Sequence, residues 1–447
     1  MFAIGNSDLM TNDSAKRIVI IGGGSGGLKL ATRLGHHYRG DEAVEITLVD
    51  DTLTHVWKPL LHEIAAGTLD MREDECDYLA HARRHHFRFV WGRMQGLDRA
   101  KRHIRLAPLE LEDKPEDQPA RELRYDLLVM SVGGISDDFG VPGVSEHCYR
   151  LDSAPEAERF RQRLLEAYLR AGQSDRPPAP GELDVAIVGG GATGVELAAE
   201  LDKMRHELKE YGAVGIDAVD DTTLTILERA PRLLPGLPDD LAESTEKELG
   251  ERGVHVMTGE AVSEVTSNGV RTANGAEIPA RFTVWAAGVR GQPFLASLDG
   301  LENNNRDQLL VRRTLQTTRD DRIFAMGDCS ACPLDDSGER YVPPRAQAAD
   351  QQAKFLLKNL PRYLKGHELP NYEYRDRGSL VSLDDTAVGT IMGALLGNVT
   401  FEGWTAMVSY RWLYRSHQRA LHGSFRALML WASDLLGRRH RPRLKLH

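Results

Sequence analysis

The chain has 447 residues, 41% of them hydrophobic and 27% charged, which is enough for two or three domains with cores of their own. Its polar, acidic first 16 residues lack the basic start and apolar core of a signal peptide, and no run approaches the roughly 18–20 apolar residues that span a bilayer. The four cysteines are too few for a disulfide scaffold and fit a reducing compartment, while the net charge of −10 divides into +7 over residues 402–447 and −17 over the remainder. A basic tail on an acidic body asks for an anionic surface as partner, and the body's charge argues against nucleic acid.

In chain order, IVII (18–21) reads as a strand, followed by a glycine loop, a helix to about His37 and the strand VEITLV (44–49), a βαβ unit. Gly22, Gly24 and Gly27 fit G-x-G-x-x-G: the first glycine for the tight turn, the second for close approach to a pyrophosphate, the third for helix–strand packing. Asp50 ends the next strand, where a carboxylate can accept from ribose hydroxyls. FRFVWG (87–92) reads as a strand, residues 110–122 as a hairpin tip, and YDLLVMSVGG (125–134) as a buried parallel strand ending in glycines. A stretch with three prolines (171–182) reads as a loop or linker.

The device then repeats. VAIVGGGATGVELAAE (185–200) places Gly189, Gly191 and Gly194 in the same pattern, and Glu228 ends the strand that follows a loose insert around 212–221. A carboxylate at Glu228 accepts the adenosine 2′-OH and repels a 2′-phosphate, so it favours NADH over NADPH, a preference that the adjacent Arg229 can soften. FTVWAAGV (282–289) is again a buried strand running to a glycine, Gly288. IFAMGD (323–328) brings Gly327 and Asp328 to a strand end, a position suited to a flavin's ribityl chain or to a simple turn. A helix over 343–360 and strands over 379–392 precede the basic tail. Two cradles imply two dinucleotides, and the natural pair is FAD and NADH held for hydride transfer.

In the tail, Phe425, Leu428, Met429, Ala432, Leu435 and Leu436 recur at helical spacing among arginines and aromatic residues. This stripe fits a helix lying in the headgroup plane, or one packed on the chain's own body or a second subunit.

The segments GGGSGGL (22–28), HVWKPLLHEIAAG (55–67), GGGATGVELAAEL (189–201), MGDCSACP (326–333), PPRAQAADQQA (343–353) and the tail pieces 414–423 and 441–447 together resemble the type II, non-pumping NADH:quinone oxidoreductases of respiratory membranes. The glycine loops are common to all two-dinucleotide flavoproteins; the remaining segments are more specific. The resemblance implies non-covalent FAD, with Lys58 and Ala346 joining the glycines and acids above among the cofactor contacts. It also implies a quinone slot lined by the segment from Ala346 and Gln347 through Gln351, and a role for Glu196 near the meeting of nicotinamide and flavin.

From the residues themselves, Gln347 and Gln351 are i and i+4 on one helix face, suited to a quinone carbonyl or to solvent. Glu196, two residues past Gly194, is either that functional acid or a carboxylate favoured by a helix N-terminus. No close dithiol follows the first ribose acid, and residues 149–328 contain no cysteine, which argues against a disulfide reductase. Cys329 and Cys332 form the one C-x-x-C; no metal set is read, because zinc would need two more ligands. Asp384-Asp385 depart from the family's turn and are expected to face solvent.

The expected fold is therefore α/β, with two Rossmann-like dinucleotide-binding domains in a glutathione-reductase-like arrangement and a C-terminal amphipathic membrane-anchoring segment. The expected divisions are FAD-binding over 1–150 and 291–401, NADH-binding over 151–290, and membrane association over 402–447. The expected activity is NADH:quinone oxidoreduction without proton pumping, by a protein peripheral to the cytoplasmic side of the inner membrane, with a homodimer possible. The alternatives are an NADH-dependent reductase of a small iron–sulfur protein and a non-catalytic NADH-responsive interaction protein.

Overall fold

The computed structural model describes residues 15–69, 75–108, 120–174, 176–211, 221–383, 386–393 and 397–402, together with Arg419, Met429 and Leu444. The tail stripe other than Met429, most of the 212–221 insert and the Asp384-Asp385 turn lie outside the described residues. In chain order the principal elements are β1 (Lys16–Ile21), α1 (Ser25–His37), β2 (Val44–Asp50), α2 (Leu61–Ala66), α3 (Tyr78–His85), β3 (Arg88–Trp91), β4 (Leu127–Met130) and β5 (Cys148–Arg150). There follow α4 (Ala154–Gly172), β6 (Val185–Val188), α5 (Ala192–Glu210), β7 (Leu224–Glu228), β8 (Val254–Thr258), β9 (Phe282–Trp285), β10 (Ile323–Ala325), α6 (Ala346–Tyr363), β11 (Gly378–Leu383), β12 (Thr386–Gly393) and β13 (Gly397–Glu402).

The chain divides into two compact units. The first comprises 1–55, 75–134 and 290–374, and the second 56–74, 135–289 and 375–447. Each is built on a five-stranded parallel sheet. In the first the order is β10-β4-β1-β2-β3, and in the second β5-β9-β6-β7-β8. The central strands are apolar throughout (β1 ends VII, β4 is LLVM, β6 is VAIV) because both faces of a parallel sheet are covered. Each unit also carries a three-stranded antiparallel sheet, over 94–124 in the first and 262–279 in the second. Residues 109–119, the greater part of the acidic stretch read as a hairpin tip, lie outside the described residues. The plan is thus present twice.

Three segments are assigned differently from the sequence reading. Residues 135–150, expected with the first dinucleotide fold, belong to the second unit and carry β5 into its sheet. Residues 56–74, placed by adjacency with the first dinucleotide fold, belong to the second unit, where Leu61, Ile64, Ala65 and Ala66 of α2 are buried in the same core as Phe160 and Leu164 of α4 and Val195 and Ala199 of α5. The antiparallel meander β11-β12-β13 also belongs there, and Val381 and Leu383 of β11 enter that core. So does Leu444, near the chain's end: it is 3% exposed, and its backbone N–H donates to Tyr211 Oη at 3.3 Å. Among the described residues no helix is long and apolar enough to cross a membrane.

Candidate functional site

In the first unit the turn between β1 and α1 forms the expected cradle. Gly22 has φ +95°, a left-handed conformation, and a Cβ there would strike the Ser131 carbonyl; a Cβ on Gly27 would strike the carbonyl of Gly22. These two glycines are needed by the fold itself. Gly24 differs: a Cβ added there meets no atom within 4 Å, so the protein's own packing does not require glycine at that position. A pyrophosphate approaching the backbone does. Consistent with this fit, α1 starts with no side-chain cap and no acid in its first turn, leaving N–H groups and the positive helix end for an anion.

The Gly23 peptide, between the fingerprint glycines, is held on both sides. Its N–H donates to Asp50 Oδ2 at 2.5 Å, and its carbonyl accepts from Tyr78 Oη at 2.8 Å and His55 Nδ1 at 2.9 Å. The other Asp50 oxygen accepts from the N–H and hydroxyl of Thr52. Burial raises the Asp50 pKa despite these hydrogen bonds. Tyr78 and His55 were not singled out from sequence; they lie 55 and 32 residues from the glycine they hold.

The second unit repeats the device. Gly189 has φ +115° and packs against the Ala286 backbone, a Cβ on Gly194 would strike the Gly189 carbonyl, and Gly191 again faces open space. Helix α5 likewise starts without a side-chain cap or first-turn acid. Glu228, at the end of β7, accepts from the N–H of Gly190 at 2.6 Å and of Ala230 at 2.7 Å, the counterpart of Asp50. Here Leu234 N–H, not a side chain, satisfies the Gly190 carbonyl, at 2.8 Å. Gly288 has φ +69°, and a Cβ there would press on Phe139, so its glycine is a local requirement.

The remaining predicted contacts of the first unit converge at the start of α6. Gly327 (φ +71°) and half-buried Asp328 follow β10, and the Gly327 N–H donates to Oε1 of Gln352, which is 1% exposed, at 2.6 Å. Gln352 was passed over in the sequence beside Gln347 and Gln351, yet it is the glutamine that ties helix to loop. Ala346 is the first helical residue, and Gln347 and Gln351 are half-buried one turn apart. Lys29 of α1 pairs with Asp350, fixing the two helices together. Lys58 is exposed on a short turn within 56–74 of the second unit.

Cys329 and Cys332 are both buried and unbridged, and their thiols are pushed up to about 12 by burial, which leaves no thiolate for redox exchange. Among the described residues no group of three or more His, Cys, Asp or Glu is placed to hold a metal.

Glu196 lies past the first turn of α5, so the helix N-terminus does not account for it. Three segments of the second unit enclose it. The Ser382 N–H of β11 donates to Oε1 at 3.1 Å, His62 Nδ1 of α2 lies 3.6 Å from Oε2, and Glu200 is one turn further along α5. Glu200 itself accepts from Thr68 Oγ1 at 2.6 Å. Burial raises the Glu196 pKa to about 8 against the Ser382 hydrogen bond, with the Glu200 charge adding to the rise. Burial lowers His62 to about 4. At neutral pH the two are therefore a protonated carboxyl beside a neutral imidazole, not an ion pair, and Glu196 holds a proton it can give.

A family model for pyridine nucleotide-disulphide oxidoreductases matches residues 16–353. The type II NADH:quinone oxidoreductase of Haemophilus influenzae is 42% identical, across 97% of this chain and all of its own length. The chain belongs to the type II NADH:quinone oxidoreductases. A type II NADH:quinone oxidoreductase of Staphylococcus aureus is 28% identical over 85% of this chain and 90% of its own. The structure of NDH2 from Plasmodium falciparum in complex with NADH shares the fold, with a TM-score of 0.80 at 17% identity over 96% of this chain and 99% of that one.

Proposed function

We propose that this protein takes a hydride from NADH on bound FAD and passes the two electrons to a membrane quinone, ubiquinone or menaquinone, without pumping protons. The observation that carries the reading is the repeated cradle, each copy having a glycine in open space, an uncapped helix and an acid-ended second strand. Gly22, Gly24, Gly27, Asp50, Gly327, Asp328 and Ala346 would hold FAD; Gly189, Gly191, Gly194, Glu228 and Gly288 would hold NADH. When bound, FAD supplies a ring that accepts a hydride from a nicotinamide and yields electrons to a quinone.

The chain's own residues do the rest. Asp50 and Glu228 hold the ribose ends, and the α1 and α5 N-termini hold the phosphates. Gln347 and Gln351 offer uncharged amide donors to a quinone carbonyl. Glu196 stores a proton: quinone reduction consumes two protons and the hydride brings one equivalent, so a proton-bearing acid matches the deficit. The protein sits on the cytoplasmic side of the membrane, held by the basic 402–447 tail.

The test is stopped-flow absorbance near the flavin maximum, with NADH first and a short-chain quinone second. The expected course is bleaching by NADH and rapid recolouring by quinone, but not by a disulfide or an iron–sulfur protein. Bleaching without recolouring overturns the acceptor and leaves the cradles standing.

A further inference from the structure

The C-terminal ends of α1 and α6, both within the first unit, enclose an open cleft of about 700 Å³ on the protein surface. Arg33, Lys358, Arg362 and Lys365 line it, over an apolar floor of Leu357 and Pro361, and no aspartate or glutamate contributes to the lining. Among the described residues none of these four cations is engaged in an ion pair, although the body of the chain carries a large excess of acid. The next acid along α6, Asp350, is already occupied by Lys29 and Lys354. Lys358 and Arg362 stand i and i+4 on one helix, a like-charge spacing that works against the helix.

Two helix C-termini meet here, and their partial negative charge accounts for some basic residues. Two ends of about half a charge each offset roughly one cation of the four. The local field is accordingly positive: after burial, the neighbours His86, Arg33 and Arg39 all act to hold His36, at the cleft's edge, below its ordinary pKa.

We propose that this cleft binds a soluble nucleoside phosphate, with Arg33, Lys358, Arg362 and Lys365 on the phosphates and Leu357 and Pro361 under the base. The volume lies within the roughly 300–1,000 Å³ of small-molecule sites and far exceeds one inorganic phosphate. A lipid headgroup carries the same chemistry. Lys358 and Arg362 are about 16–22 Å along α6 from Gln347. On the proposed reading of Gln347 as quinone contact, the cleft is that far along the helix from the quinone end, and the vesicle arm of the test below decides against a headgroup.

The probe is ADP, titrated calorimetrically into the FAD-loaded full chain saturated with NAD⁺, so that the dinucleotide cradles are filled. The comparison is with the Lys358→Gln/Arg362→Gln double variant, in parallel with binding of both proteins to phosphatidylcholine–phosphatidylglycerol vesicles. The proposal expects saturable ADP binding at physiological ionic strength, weakened at least about tenfold in the variant, with unchanged flavin content, NAD⁺ affinity and vesicle binding. It is overturned if ADP does not bind saturably, if the variant binds it equally well, or if the substitutions weaken vesicle binding alone. None of these readouts depends on quinone reduction, so failure here leaves the proposed activity untouched.

Discussion

Glu196 shows how one residue acquires chemistry from its surroundings. Its carboxyl would ionise near 4.5 in an unfolded chain and holds its proton to about 8 in the fold. Between those values the folded protein binds the extra proton, so this group's contribution to stability is full below 4.5 and is lost as pH rises toward 8. Glu196→Gln cannot lose that proton, and its melting temperature should fall less than the parent's over that window; equal slopes in thermal scans would count against the assignment. At Glu228 the prediction concerns choice of substrate. Glu228→Gln should narrow the NADH-over-NADPH preference in kcat/KM by about tenfold, since a neutral amide no longer repels a 2′-phosphate. An unchanged ratio would remove Glu228 from the ribose. The fingerprint glycines and both acids were legible in the sequence because each lies within one βαβ unit. His62 and Ser382 were not, because they reach Glu196 from 134 and 186 residues away, and nothing local marks them.

The cradles depend on neighbours that lie elsewhere in the chain. In the first unit α3 supplies Tyr78, the β2–α2 connection supplies His55 and α6 supplies Gln352; in the second, backbone alone does the equivalent work at Gly190. The glycine loop of the first unit is therefore more exposed to side-chain substitution than that of the second. Gln352→Ala leaves the half-buried Gly327 N–H without its acceptor, a cost of about 1–3 kcal/mol, and, on the proposed reading of this turn as an FAD contact, should speed release of FAD, read as the rise of free-flavin fluorescence. Tyr78→Phe leaves His55 still donating to the Gly23 carbonyl and should cost only about 1 kcal/mol. A Tyr78→Phe loss as large as that of Gln352→Ala would mean the two donors are not redundant. The helix over 343–360 was read correctly as an element from its composition, but the functional difference between Gln351 and Gln352 is one of direction, and only packing against the Gly327 turn decides it.

At the scale of the whole chain, the duplicated plan was legible as two runs of strand, glycines, helix and acid-ended strand. The exchange of 56–74, 135–150 and 375–402 into the second unit was not, because adjacency in sequence is the only cue to membership before packing is known. Leu444 bears on the same point from the other end. Its burial and its hydrogen bond to Tyr211 tie Leu444 into the second unit's core, so Leu444→Ala should destabilise the protein by roughly 2–5 kcal/mol in denaturant unfolding. A surface-like loss of under about 0.5 kcal/mol would refute that docking.

The strand order of the first sheet has a consequence for biosynthesis. β10 completes that sheet beside β4, yet it leaves the ribosome only after the whole of 135–289. Gly327, Asp328 and the Gln352 tether follow later still. A nascent chain that has just emerged through residue 289 carries every glycine of both cradles but lacks the edge strand, the Gly327–Asp328 turn and the brace on that turn. The first cradle is thus the earlier to be translated, yet its own unit is complete only once α6 has emerged. On the proposed assignment of FAD to that cradle, flavin capture becomes a report that translation has passed the middle of α6.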